Sequence, residues 1–405
     1  MTGDANALLA EIAGIGVDPA GGYARPVFSP AEAELREWFV AHAVRRGLDV
    51  ETDRNGILWA WWDAEGPLDR RGTVVTGSHL DSVPGGGNFD GPLGVASALA
   101  AVDVLRARGV APRRSLAVAV FPEEEGSRFG VACLGSRLIT GAVAPDRVRA
   151  LRDADGRTYA EVSIEAGFDP ALVGPDPDRL AGVSAFVELH VEQGRGLTDL
   201  EQPVALAGAI IAHGRWRVRV EGRADHAGAT LMADRQDPVV VASETVRALR
   251  ARVLESADAR GTVGRFEVTP GGTNVIASSV DVWLDVRHRD EDVVRAIVAD
   301  VTTATEAAAD AEGCVATVTE HSFSPTVAFD PALRAAMAEV VPHAPVLDTG
   351  AGHDAGVLAT HIPTAMLFVR NHTGASHTPA EAADAVDVDA GVEALASVLE
   401  HLLLR

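Results

Sequence analysis

Short apolar runs at 73–78, 115–121, 185–189 and 364–369 alternate with helix-period segments such as 91–108. Such alternation restricts a chain to an α/β layer with a mostly parallel sheet, because buried parallel strands need helical crossovers between them. Other signals agree. Ser29-Pro30-Ala31-Glu32 combines a capping serine, a proline at the first helical position and a glutamate three residues after the cap. Leu35, Trp38, Phe39 and His42 then follow at helical spacing. The runs 48–51 and 57–62 read as adjacent strands.

The middle of the chain has a different rhythm. Residues 215–221 alternate as in a half-exposed strand, with Trp216, Val218 and Val220 on one face. A helix over 238–257, strands at 264–269 and 280–287, a helix over 292–311 and a strand at 315–321 follow. That order is the β-α-β-β-α-β split unit. Residues 214–325 are therefore expected to form a small ferredoxin-like α+β domain. It interrupts a larger domain made of 1–213 and 326–405. At about 150 residues per domain, 405 residues accommodate both.

Polar residues gather where the large domain's strands end. His79 and Asp81 follow the first run, and Asp90 closes a glycine-rich loop just ahead of a helix. Glu123, Glu124 and Glu125 follow the second run, His190 and Glu192 the third, and His377 the fourth. Open α/β sheets bind ligands outside the carboxyl ends of their strands, and His, Asp and Glu are metal-ligand types. Taken singly, each has a plainer explanation: a surface histidine, a solvated acidic patch, a turn, a helix cap. The convergence of five such elements in one domain favours a metal site.

Composition removes alternatives. All 35 basic residues are arginine, so Schiff-base, P-loop and carboxylated lysines are impossible. The net charge of −23 disfavours nucleic acid and anionic membranes as partners. The longest apolar stretch, 204–212, is too short to span a bilayer, and Met1 to Gly22 lacks a basic signal-peptide start. Cys133 and Cys314 form no disulfide framework or zinc-finger spacing. These features lead us to expect a cytoplasmic protein.

Several segments together resemble one family: GSHLDSVPGGGNFDGPLGV, FPEEEGSRF, ELHVEQG, GRADHAGAT, GGTNVI, DVRH, GAGHDA and GASHTPAE. They are similar to the di-zinc amidohydrolases that include allantoate amidohydrolase, N-carbamoyl-L-amino-acid hydrolase and β-ureidopropionase, within the aminoacylase and carboxypeptidase G clan. The resemblance covers nearly the whole chain. It implies an α/β catalytic domain with an inserted ferredoxin-like lid and dimerisation domain, a homodimer, and two divalent metal ions. Zinc is expected, with manganese or cobalt as alternatives.

Residue by residue, the resemblance implies that His79, Asp90 and His190 hold one metal. Asp90, Glu125 and His377 hold the other, with Asp90 bridging. Glu124 is the implied general base, and Asp81 is expected to accept the other ring N–H of His79. His226 corresponds to an oxyanion or substrate contact, Asn274 and Arg287 to substrate-carboxylate binders, and Gln193 to a further substrate contact. The roles of Glu192, His353 and Asp354 stay open. Leu231 and Ala277 stand where relatives carry proline, and Arg370-Asn371-His372-Thr373 departs from several relatives. The implied activity is hydrolysis of a ureido (carbamoyl) C–N bond in a small carboxylate substrate, allantoate or an N-carbamoyl-L-amino acid. An aminoacylase or dipeptidase of the same clan, and a catalytically silent metal-binding relative, are the alternatives.

Overall fold

The computed structural model describes residues 4–65 and 69–405. It divides into two compact units, one comprising the chain up to Gly208 together with Ala328–Arg405, the other Ala209–Val327.

In the larger unit, Thr364–Val369, Val183–Val191, Thr73–His79 and Leu116–Phe121 lie side by side and pair in parallel. Antiparallel strands flank them: Val204–Ile210 beside Thr364–Val369, and Leu58–Trp62 then Asp49–Thr52 beyond Leu116–Phe121. Thr73–His79, Leu116–Phe121 and Thr364–Val369 are buried along their whole length, which is why they read as unbroken apolar runs. The helices Pro92–Ala107 and Ala385–Leu404 pack on each other and on the sheet. Close approach depends on Gly94, where a Cβ would fall 2.3 Å from the Leu189 carbonyl oxygen. The shorter helices Leu134–Thr140 and Asp354–Leu358 also pack together, the latter against Val183–Val191 and Thr364–Val369.

Two differences from the sequence reading matter. The strand expected at 185–189 runs over Val183–Val191, because its parallel partner continues the register through Phe368↔His190 and Val369↔Val191. His190 is therefore held inside a strand and not on a loop. The helix Ala385–Leu404 was not anticipated. Its buried residues Val388, Val392, Leu395, Val398 and Leu399 have helical spacing, but Ala394 and Ala396 beside them blur the period.

The smaller unit has the strand order Arg260–Thr269, Ser279–His288, Ala212–Glu221, Val315–Ser324, antiparallel throughout. The helices Pro238–Glu255 and Glu291–Glu312, capped by Asp237 and Asp290, pack on each other and share an apolar core with Trp216, Val218, Val220, Val282, Leu284 and Val286. This is the strand order of a ferredoxin-like split unit. Two short strands, Asp225–His226 and Val275–Ile276, pair with each other outside that sheet. No helix among the described residues is long and apolar enough to cross a membrane.

Candidate metal centre

Thr73–His79 ends on His79, whose side chain is fully buried. Its Nδ1 lies 3.1 Å from the Asp81 carbonyl oxygen and 3.5 Å from the Asp81 carboxylate. The carbonyl is thus the nearer acceptor, and the carboxylate has another task. It accepts the N–H groups of Glu124 (3.2 Å) and Glu125 (3.1 Å), which fixes the acidic loop beyond Leu116–Phe121. Inside the neighbouring strand, His190 turns its own Nδ1 to the Val191 carbonyl at 3.0 Å. Both rings therefore carry a proton on Nδ1 and turn Nε2 toward the centre.

Those Nε2 atoms meet at one carboxylate oxygen. Asp90 Oδ1 lies 3.5 Å from His79 Nε2 and 3.3 Å from His190 Nε2. Its other oxygen, Oδ2, lies 3.5 Å from His377 Nε2, which is also 3.3 Å from Glu125 Oε2. Two triads, His79-Asp90-His190 and Asp90-Glu125-His377, thus share one carboxylate through different oxygens. Ligand atoms held about 2.0–2.1 Å from a tetrahedral cation lie about 3.4 Å apart, the spacing found here. The Nε2 atoms of His79 and His190 and the Oε1 atom of Glu125 are buried without a hydrogen-bond partner. A cation in each triad would pair the orphaned groups, so the residues fit two divalent ions.

The electrostatics are those of an anionic pocket. Burial disfavours the His79 cation, but Glu124, Asp81 and Asp90 outweigh it and push the imidazole well above its ordinary range. Burial likewise opposes ionisation of Asp90, yet His190 and His79 hold it well below the usual carboxylate range. The hydrogen bond to Glu125 leads in raising His377 to about 9. Glu124 behaves oppositely. Burial first, and then Asp354, Glu125 and Asp81 against the pull of His79, drive its carboxyl well above the usual range. Glu124 Oε2 lies 3.7 Å from His79 Nε2, and Oε1 accepts from Cys133 Sγ at 3.3 Å.

The backbone here is held in uncommon conformations. Glu123 and His377 have φ values of 54° and 56°, in the left-handed region. Such non-glycine residues persist where their surroundings fix them. The Glu123 carboxylate accepts the N–H groups of Arg128 and Phe129, and the Glu123 and Glu124 carbonyls accept from Leu134 and Cys133.

Other residues fall into place around this centre. Gln193, expected to touch substrate, donates Nε2 to Asp90 Oδ2 at 2.8 Å and to Ser376 Oγ at 3.0 Å. Glu192 accepts from the N–H groups of Gly196 and Leu197 at the start of a short helix, which is a capping role. His353 packs edge-on against His190, with ring centroids 4.5 Å apart, and burial holds it neutral. His353 also forms a third cluster with Glu188 and His190. There, however, the Glu188 oxygens already accept from Ser78 Oγ at 2.8 Å and the Ala355 N–H at 3.1 Å. The buried Asp354 accepts from Ser136 Oγ at 2.5 Å. Sequence reasoning missed Glu188, Cys133 and Glu381. Of these, Glu188 and Glu381 stood inside matched motifs, ELHVEQG and GASHTPAE.

His226, Asn274 and Arg287 lie in the smaller unit. His226 Nδ1 accepts the N–H groups of Gly228 (3.0 Å) and Ala229 (3.1 Å), so the neutral ring carries its proton on the exposed side, at Nε2. The exposed Asn274 accepts the Ala227 N–H at its main-chain carbonyl oxygen. Arg287 directs Nε and Nη2 at the two oxygens of Asp285, at 2.6 and 3.0 Å.

The model of peptidase family M20/M25/M40 matches residues 75–401. An N-carbamoyl-L-amino acid amidohydrolase of Geobacillus stearothermophilus is 34% identical over 392 residues, covering 96% of this chain and 95% of that protein. An allantoate amidohydrolase of Escherichia coli strain K12 is 33% identical over 403 residues, covering 96% and 95%. The crystal structure of a hydantoinase/carbamoylase-family amidase from Burkholderia multivorans superposes with a TM-score of 0.88 at 30% identity, covering 99% of this chain and 97% of that one.

Proposed function

Since the chain belongs to peptidase family M20/M25/M40, we propose that it is a metal-dependent amidohydrolase that cleaves a linear ureido C–N bond in a small carboxylate substrate. Allantoate and N-carbamoyl-L-amino acids are examples of that class. The observation that carries this reading is the division of Asp90, one oxygen toward each triad. A paired site of this kind suits attack by water on an unactivated carbonyl.

In this reading His79, Asp90 and His190 hold one divalent cation, and Asp90, Glu125 and His377 the other. When bound, the cations supply Lewis acidity toward the carbonyl and make water nucleophilic near neutral pH. Glu124 takes the proton from that water and delivers it to the leaving nitrogen. Hydrolysis of an N-carbamoyl amino acid then consumes one water and yields the amino acid, ammonia and carbon dioxide. His190 and His79 would coordinate through Nε2, because main-chain carbonyls hold their Nδ1 protons. His226 offers Nε2–H to the oxygen that gains charge, and Asn274 and Arg287 recognise the substrate carboxylate. Gln193 contacts the substrate while steadying Asp90.

The smaller unit acts as lid and as dimerisation domain in a cytoplasmic homodimer. Its strand Arg260–Thr269 has a single neighbour in the sheet and exposes Phe266 and Val268, an edge suited to a symmetry mate. Light scattering tests this, and a monomer at working concentration contradicts it. The activity is tested by assaying purified, metal-loaded protein against allantoate, a panel of N-carbamoyl-L-amino acids and N-acetyl amino acids. Ammonia from the ureido acids, abolished by a chelator, is expected. Turnover of N-acetyl amino acids alone would reassign the protein to the aminoacylases, and no turnover with bound metal would make it a binding protein.

A further inference from the structure

Asp90 must aim two oxygens in two directions, yet it lies in a loop between Ser82–Gly86 and Pro92–Ala107. A loop rich in glycine does not hold such an aim by itself. The side chain that holds it comes from far along the chain. Glu381 Oε1 accepts the N–H groups of Phe89 (3.0 Å) and of Asp90 itself (2.9 Å). One oxygen gripping two successive N–H groups fixes the peptide between them, and with it the direction in which the Asp90 side chain leaves the backbone. Glu381 is 5% exposed, so solvent hardly competes for these bonds.

A second observation is independent of the hydrogen bonds. A Cβ on Gly87 would fall 2.3 Å from Glu381 Oε1 and 2.6 Å from its Cβ. The third glycine of the run 85–87 thus leaves the space that Glu381 fills. Asn88, the next residue, is anchored separately, its Oδ1 accepting from Arg25 Nη2 at 3.2 Å. Glu381 follows His377 by four residues. A single short segment therefore carries both a ligand of one triad and the clamp on the carboxylate shared by both.

We propose that Glu381 is a positioning residue that sets the bridging orientation of Asp90 and thereby the affinity with which both cations are held. This rests on the two-cation reading above. Partners behind a ligand typically change metal affinity about 10- to 100-fold.

The test measures zinc affinity by chelator competition for the wild type, Glu381→Ala, Glu381→Gln and Gly87→Ala. Thermal unfolding of the chelated proteins gives the structural reference. Glu381→Ala and Gly87→Ala should each bind zinc about 10- to 100-fold more weakly. Glu381→Gln keeps an acceptor oxygen and should stay near the wild type. The double variant Gly87→Ala/Glu381→Ala should be no weaker than Glu381→Ala, because both changes remove the same contact. If Glu381→Ala does not fold, Gly87→Ala and Glu381→Gln carry the comparison. Wild-type affinity in Glu381→Ala or in Gly87→Ala, with only a lowered unfolding temperature, overturns the inference and leaves the two-cation reading standing. Equal losses in Glu381→Gln and Glu381→Ala also overturn it. A wild type that binds no divalent cation overturns the reading itself, and this inference with it.

Discussion

His79 and His190 stack with ring centroids 5.8 Å apart, and each turns its Nδ1 to a main-chain carbonyl, so that both Nε2 atoms face Asp90 Oδ1. The three atoms stand at the mutual spacing that a shared divalent cation would require. The arrangement survives because adjacent parallel strands carry the two rings, and the strand register sets their separation.

Glu124 and Glu125 are neighbours with different tasks. Glu124→Gln keeps size but cannot take a proton, so metal content should be retained while turnover falls about 10²-fold or more. Glu125→Gln should lower metal occupancy as well as rate. Metal analysis beside an ammonia-release assay separates them. Identical behaviour of the two variants would mean that the roles are exchanged or shared.

His226 offers a cleaner dissection. In His226→Asn the side-chain oxygen can replace Nδ1 as acceptor for Gly228 and Ala229, but the donor at Nε2 is lost. Turnover should fall about 10²- to 10³-fold, the scale of a lost oxyanion donor, with little change in unfolding temperature. A variant with near-normal kcat would leave His226 with only its turn to hold.

Arg287 meets any substrate carboxylate in competition with Asp285, which already engages its Nε and Nη2. Arg287→Lys keeps the charge and loses the fork. The specificity constant should drop about tenfold or more for carboxylate substrates, the loss of one charged hydrogen bond, and change little for the corresponding amides. Equal losses for both would make the Arg287–Asp285 pair structural.

Gly94 sets packing against propensity. Alanine in a helix is favoured over glycine by about 1 kcal/mol, yet a Cβ at this position would fall 2.3 Å from a main-chain oxygen and 2.7 Å from the Ser78 Cβ. Overpacking of this kind costs about 1–3 kcal/mol, and a backbone atom cannot step aside. Gly94→Ala should therefore lower the urea midpoint. An unchanged or raised midpoint would mean that the helix shifts freely on the sheet.

Much of the large unit could be read from sequence because buried parallel strands are continuous apolar runs, and the polar residues that follow them stand where such sheets bind ligands. The small unit was legible from its period-two strands. What escaped was tertiary. The bond from the Asp90 N–H to Glu381 joins residues 291 apart, and the Asp81 carboxylate reaches a loop 43 residues on. Neither leaves a local pattern. Only the family resemblance cast Arg287 as a substrate-carboxylate binder, since its pattern alone reads as a strand-surface charge, and sequence does not show that Asp285, two residues earlier on the same strand, turns to its fork. Glu192 was the exception: an acid ahead of a short helix is a local signal, masked here by its place beside His190.

Two cations sharing Asp90 are expected to support the hydrolysis. The direct measurement is a titration of metal-free protein with zinc, following ammonia release from the ureido acid identified in the substrate screen against the number of ions bound per chain. Activity should reach its plateau at two ions per chain. A plateau at one ion, or ammonia release from the chelated protein at the same rate, would contradict it.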